Sequence, residues 1–535
     1  MATLSSLLRT RWDHLAVLLV AVGVFAGWSA APAISPSSPE LLLGRDLPVD
    51  GAHTVFIYAA LARGLSGEGP LTQIDGFWFP VGRPLLDAAW NMVDALLAAP
   101  LLLLLGPARG TMLATGLFGV ANALAGGFMG RRLGGPGWPA VVGAVGLGFA
   151  PFAWAEIHQG RPTQALLAPL ALALAAAVSP RGRGIAAGLL TALSGACYWF
   201  HGLFLAPLVG LALLGSRSLR QGLGSVLVAG LACLLAISPF ALWVFSRWGA
   251  LQGTGGARAF RVPVAWPWQP GIVDGPSSEL YLPLGLCVLA VPAVVVGSRR
   301  LAVPLLLGVL ALFSLSFGSS AVIFGRELAM PWSWLDELPL LSRLWWPYRA
   351  LGAASVGLAA VAALGAATRP GRWLAPLCLL GVFAQVLDQP GRLPVSAVPP
   401  LPGWHAELPP GPILLLPALD PRTGKVALLQ QADHGRPLVN GMGMSERDLW
   451  PPEFSAWWKA DPLLRGIEAV ERGRKLSAPA DARGLARAGV VAVLIDEGYA
   501  RGLPAESWAW LRASLGEPRC GLAGVCAWVL NPEAE

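Results

Sequence analysis

Residues Leu85 to Leu105 read LLDAAWNMVDALLAAPLLLLL, and how this stretch is taken decides the topology of the whole chain. It is apolar and long enough to cross a bilayer, for which a helix needs about 20 residues. Against a crossing stand Asp87, Asn91 and Asp94, which recur every three to four residues and share one helical face, with leucine and tryptophan elsewhere. An amphipathic helix lying in the outer membrane interface fits that pattern. Counting it as a crossing would also reverse the side of every later link.

Those later links carry a consistent charge. Arg131-Arg132, Arg181-Gly182-Arg183, Arg217 to Arg220, Arg299-Arg300 and Arg369 to Arg372 join apolar runs and contain no Asp or Glu. Short basic links stay on the cytoplasmic side during insertion. Every acidic residue from Glu40 to Asp388 falls in the alternate connections, which are therefore the outer ones. The runs read as spans are Leu15 to Ala31, Gly110 to Gly130, Trp138 to Trp154, Thr163 to Val178, Gly184 to Trp199, Gly202 to Leu214, Leu223 to Phe245, Leu280 to Gly297, Leu301 to Phe317, Arg349 to Ala367 and Trp373 to Leu387. About eleven helices result, with the N-terminus cytoplasmic and the C-terminus outside. Gly184 to Leu214 reads either as two short spans bent at Phe200-His201-Gly202 or as one long span; two keep Arg217 and Arg220 on the arginine side.

Composition agrees with a polytopic membrane protein: 55% of residues are hydrophobic and only 13% charged, about half the roughly 25% usual in soluble proteins. The net charge of +7 comes from arginines at span ends, so it argues for topology and not for nucleic acid. Cys197, Cys233, Cys287 and Cys378 lie singly in apolar runs and read as small buried hydrophobes. Cys520 and Cys526 are close enough either to close a hairpin as a disulfide or to remain separate thiols, and their spacing fits no metal pattern.

Three units follow from these shifts in composition. Residues 1–388 form the transmembrane domain, whose first outer loop, 32–109, holds two interfacial helices, Gly51 to Gly64 and Leu85 to Leu105. A Pro-rich linker runs over 389–412, and 413–535 form a small extracytoplasmic α/β domain. In that domain Ile413 to Pro417, Gly489 to Ile495 and Cys526 to Leu530 read as strands and Ala505 to Leu515 as a helix. Two other outer loops are dense in tryptophan (Trp266, Trp268, Trp332, Trp334, Trp345, Trp346), which reads as an interfacial belt or as ligand stacking.

Candidate chemistry gathers in the outer loops. Asp50, in Leu47-Pro48-Val49-Asp50-Gly51-Ala52-His53, opens a helix, where it either caps exposed amides or serves as a general base, with His53 one turn on. Trp154 to Arg161 (WAEIHQGR) is a compact polar loop between two spans. Polar groups at a bilayer edge usually face a cavity. Glu156 and His158 suit a divalent cation, Mg or Mn, and Arg161 a phosphate oxygen; the alternative is an ordinary exposed loop. His201 sits near the same face and reads equally as structural, while Arg343 and Arg349 flank the Trp345-Trp346-Pro347 corner and suit an anionic headgroup. A substrate with a lipid tail, a phosphate and a polar head matches these features.

This layout resembles the integral-membrane glycosyltransferases of the GT-C fold, which use polyprenyl-phosphate-linked sugars. The resemblance is carried by Val49-Asp50-Gly51-Ala52-His53 just after span one, by two juxtamembrane helices introduced by Phe79-Pro80-Val81-Gly82, and by the loop Glu156 to Arg161. The stretch from Leu335 to Arg349 (LDELPLLSRLWWPYR) is similar to the outer loop before a late span in bacterial relatives. First-loop acidic pairs are common in the family, whereas Asp50 is followed by glycine, and Glu156 precedes Arg161 where relatives often have Arg before Asp. The first run follows Arg9 and Arg11 as in a signal peptide, but the family uses it as an uncleaved span.

The resemblance implies a GT-C-like helical membrane protein of the bacterial inner membrane. It implies inverting transfer of a hexosyl or pentosyl group from a polyprenyl-phosphate donor to a hydroxyl on a glycan, lipid or protein acceptor. Asp50 would be the catalytic base; His53, Arg161, Arg343 and Arg349 would bind substrate; Glu156 and His158 would hold the cation. Two other classes fit the composition: a transporter or flippase of lipid-linked or amphipathic solutes, and a non-catalytic membrane assembly protein. The transporter reading expects ionisable residues near the midplane and a repeat, and the span interiors lack Asp, Glu, Lys and Arg.

Overall fold

The computed structural model describes residues 2–28, 41–43, 49–69, 71, 73–74, 76–84, 92–179, 184–246, 261–263, 282–323, 326–335, 347–387, 395–397, 403–441, 450–522 and 524–530. The chain is mostly helical, with several apolar helices and a small sheet. Among the described residues five helices are long and apolar enough to cross a membrane, and six shorter ones are also apolar. This is the architecture of a membrane protein, since a helix satisfies its own backbone polar groups in lipid.

Small residues set the tightest packing. Helix Pro107–Gly134 lies against helix Trp138–Gly148 so closely that a methyl group at Gly126 would meet the Gly143 carbonyl, and one at Gly130 the Pro139 carbonyl. Such small-residue spacing lets helix backbones approach in lipid. Helix Ala350–Ala367, almost wholly buried and rich in alanine and glycine, packs in the centre of the bundle. The segment left open between one and two spans folds as a hairpin: helices Gly184–Cys197 and Trp199–Gly215 break at Tyr198, whose backbone is extended. Gly195 and Gly202 approach at the bend, while Gly184 and Gly215 line one groove at the far end.

A polar residue completes one interrupted helix. Between Pro162–Ala165 and Ala168–Ala177 the helical ladder lapses. Buried Asn122 bridges the gap, donating to the Ala165 carbonyl at 2.7 Å and accepting from the Leu167 and Ala168 amides at 2.7 and 2.8 Å. Backbone groups freed inside an apolar bundle need such partners.

Short strands join some of the segments between helices. Leu41–Leu43 pairs antiparallel with Val395–Ala397, within the Pro-rich segment. Arg261–Pro263, Ser320–Ile323 and Arg326–Ala329 form a three-stranded sheet from two later loops.

The C-terminal part carries a four-stranded sheet in the order Arg519–Leu522, Val525–Val529, Ala492–Asp496, Ile413–Leu416, with the last two strands parallel. Cys520 and Cys526 form a disulfide, S–S 2.06 Å, across its hairpin. Helix Pro421–His434 starts at Asp420, whose carboxylate accepts from the Thr423 amide at 2.8 Å, and ends at Gly435 in the left-handed conformation. Helix Val49–Ser66 packs on it. Arg63 donates from Nη1 to the Ala432 carbonyl at 2.9 Å and from Nη2 to Gln431 Oε1 at 3.1 Å. The Phe79 amide donates to Leu438 and the Leu438 amide to Gly76, at 3.0 and 3.1 Å.

Candidate functional site

Asp50 lies in the first turn of helix Val49–Ser66, where the amides and the positive end of the helix dipole favour a carboxylate. Helix Pro151–His158 has Pro at its first position, and Gly160 at φ 71° turns the chain out of it, presenting Arg161 just ahead of Pro162–Ala165. Asp50 and Arg161 meet there. Arg161 Nε donates to Asp50 Oδ2 at 2.5 Å. Its Nη1 donates to the Tyr348 hydroxyl at 2.8 Å and lies 3.5 Å from Glu156 Oε2. The side chains of Glu156, Arg161 and Asp50 are 1%, 14% and 39% exposed, so the network runs from the interior to an accessible carboxylate.

Burial pushes the Asp50 carboxyl up, but the Arg161 guanidinium outweighs it through charge and the hydrogen bond. With Lys425 and His53 acting in the same sense, the group is held below the ordinary carboxylate value of 3.8. Asp50 is therefore ionised at neutral pH. Its Oδ1 accepts no hydrogen bond from the described residues. A cleft of about 20 Å³, space for one water molecule, lies alongside, lined by Gly51, Thr54, Gly160 and Pro162 among others.

Arg349 stands at the start of helix Ala350–Ala367. Its guanidinium lies over the rings of Phe200 at 4.7 Å and Tyr198 at 5.2 Å, contacts that fix a cation without neutralising it. His201 is fully buried near Tyr198 and Phe152, and neither ring nitrogen has a hydrogen-bond partner among the described residues.

Of the residues singled out in the sequence, Asp50, His53, Glu156, Arg161 and Arg349 thus gather at one end of the bundle. Arg343 and the side chain of His158 lie outside the described residues. Among the described residues no three His, Cys, Asp or Glu side chains converge as a metal site. Glu156 faces a guanidinium, which competes with any cation for its carboxylate, and so does not fit the role of a metal ligand as it stands.

Three features differ from the sequence expectation or were missed by it. The helix expected over Leu85 to Leu105 is described as Met92–Leu105, with Asp87 and Asn91 outside the described residues. Asp94 is fully buried, accepting at Oδ2 from the Tyr58 hydroxyl at 2.5 Å and from Thr163 Oγ1 at 2.6 Å, while Leu97 and Leu104 are exposed. Asp94 turns into the protein because Tyr58 and Thr163 offer donors there, and Leu96, Leu97, Leu103 and Leu104 face outward. Trp332, expected in an interfacial belt or a ligand stack, is buried near Phe204. Lys425 reaches the site from a distant segment that carries no local motif, and Tyr348 from the Leu335 to Arg349 stretch, where its role was not singled out.

No protein-family model and no curated protein sequence matches the chain. Its structure is similar to that of arabinofuranosyltransferase AftD from mycobacteria, with a TM-score of 0.55 at 14% identity over 98% of this chain and 40% of AftD. The chain thus spans less than half the length of AftD. The oligosaccharyltransferase of Archaeoglobus fulgidus gives a TM-score of 0.46 at 9% identity, covering 95% of this chain and 72% of that one. ArnT of Cupriavidus metallidurans, bound to undecaprenyl phosphate, gives 0.41 at 14% identity, covering 98% and 99%. At such identities the likeness is one of fold, and the fold is GT-C.

Proposed function

We propose that this protein is a membrane glycosyltransferase that moves a sugar from a polyprenyl-phosphate donor to an acceptor hydroxyl. The acceptor is a glycan, lipid or protein at the outer face of a bacterial inner membrane. The observation that carries this reading is the Asp50–Arg161 pair at 2.5 Å, which puts an ionised carboxylate beside a guanidinium at the loops that mark the GT-C resemblance. The fold shared with an arabinofuranosyltransferase supports it.

In the proposed reaction the acceptor hydroxyl gives its proton to Asp50 as its oxygen bonds to the anomeric carbon. The bond from that carbon to the phosphate oxygen breaks on the opposite face, inverting the centre, and polyprenyl phosphate leaves. Arg161 offsets the charge growing on the phosphate, with Arg349 and Arg343 holding the headgroup and His53 the acceptor side. As Arg161 turns to the phosphate, Asp50 loses the partner that depresses its pKa and becomes a stronger base. In this orientation the N-terminus is cytoplasmic, about eleven spans cross the membrane, and residues 413–535, after the 389–412 linker, lie outside.

Turnover of radiolabelled polyprenyl-phosphate sugar in membranes tests the reading. Asp50→Asn should lower transfer by about 100-fold or more while the chain still inserts and folds. Unchanged transfer would remove Asp50 from the chemistry.

A further inference from the structure

A second cavity lies away from Asp50. It is a groove of about 1060 Å³ at the opposite end of the bundle, lined by Arg132, Arg217 and Arg300, four serines and Gln221, with no carboxylate among its lining residues. The three arginines come from three separate links. Sidedness of insertion asks only that such links share a face; it does not ask that they converge on one groove.

Their surroundings differ. Arg217 is fixed, donating from Nη1 to the Ala177 carbonyl at 3.0 Å and to Ser216 Oγ at 3.1 Å, and from Nη2 to the Ser179 carbonyl at 3.4 Å. Arg132 and Arg300 are exposed and make no hydrogen bond or ion pair among the described residues, although the Arg132 guanidinium lies 5.0 Å from the centre of the Phe128 ring. Uncompensated guanidinium groups with hydroxyl donors around them match a phosphate. The groove is also apolar on one side. Val228 lines it, and Val228 belongs to helix Leu219–Ser246, which exposes Leu227, Leu231 and Leu234 and is little buried over Leu219–Pro239.

We infer that this groove seats the phosphate of an anionic phospholipid, with the acyl chains lying along helix Leu219–Ser246. A basic pocket between helix ends on the arginine face meets the leaflet whose anionic lipids such clusters attract. A free phosphate would match the arginines but leave the apolar extension without a role.

Native mass spectrometry of the full chain, released from detergent after incubation with equimolar phosphatidylglycerol and phosphatidylcholine, tests this assignment. The unaltered chain should retain phosphatidylglycerol over phosphatidylcholine. Arg132→Gln and Arg300→Gln should each lower that retention about fivefold, the value of one arginine near an anionic surface. Arg372→Gln, on the same face but away from the groove, should leave it unchanged. Equal retention of the two lipids by the unaltered chain overturns the assignment. So does a preference that survives Arg132→Gln combined with Arg300→Gln, or displacement of the lipid by inorganic phosphate at equal concentration, which would mark a free-phosphate site.

Discussion

At the scale of single residues the site is an exchange of partners around Arg161. Its Nε holds Asp50, and its Nη1 reaches Tyr348 and Glu156, so a phosphate entering here draws on a guanidinium already paired with the proposed base. Asp94 works one shell further out. By accepting from Thr163, two residues beyond Arg161, and from Tyr58 on the Asp50 helix, it ties the two elements that present the pair. Replacing Asp94 with leucine takes away the acceptor that the Tyr58 and Thr163 hydroxyls share and leaves these two groups, 3.3 Å apart, only each other, so thermal unfolding in detergent should show a loss of about 1–2 kcal/mol. Asp94→Asn keeps an acceptor oxygen at nearly the same volume and should lose less; equal losses would show that the retained acceptor oxygen does not carry the stability. Asp50, Glu156 and Arg161 were legible in the sequence because each sits in a short polar motif beside an apolar run. The roles of Tyr348, Lys425 and Asp94 were not, because they depend on contacts between segments far apart in the chain.

At the scale of elements the bundle is governed by where side chains are missing. The close approach of helices Pro107–Gly134 and Trp138–Gly148 needs hydrogen at Gly126, since any Cβ meets the Gly143 carbonyl. Gly126→Val should therefore push the helices apart and sharply lower the yield of folded protein in a fluorescence size-exclusion assay, whereas Gly224→Ala, at a position with open space, should not. Runs of apolar residues between arginine links were enough to place the long helices. They did not disclose the interruption after Ala165, because the Asn122 side chain that makes it tolerable comes from another helix. Nor did helical periodicity fix which way Asp94 faces: a carboxylate on a leucine-rich helix serves water or a buried donor equally well, and Tyr58 and Thr163 decide for the interior. The strands at Ile413–Leu416, Ala492–Asp496 and Val525–Val529 were legible as apolar runs between turn residues.

At the scale of the whole molecule the C-terminal part packs on the helix that carries Asp50, while Arg132, Arg217 and Arg300 line a groove elsewhere in the bundle. Contacts of Arg63, Gly76 and Phe79 with Gln431, Ala432 and Leu438 hold the C-terminal part against the first loop. Lys425 thereby comes near Asp50. The C-terminal part has its own acid-linked group. Burial pushes the Glu471 carboxyl up to about 7, against the Ala418 and Leu419 amides that favour its charged form. The folded form thus keeps this proton to higher pH than the unfolded chain. Its stabilisation is complete below the ordinary value of 4.5 and is lost as pH rises through about 7. Hydrogen exchange over 413–420 should accordingly quicken from pH 5 to pH 8, after correction for intrinsic rates, and Glu471→Gln should flatten the difference; an unaltered pH profile in that variant would assign the effect elsewhere. Transfer at the outer face further requires that Asp50 lie outside the cytosol. Asp50→Cys, in a background with Cys197, Cys233, Cys287 and Cys378 replaced by alanine, should react with a membrane-impermeant maleimide added to spheroplasts with the inner membrane intact. Labelling of position 50 only after that membrane is permeabilised would contradict the account.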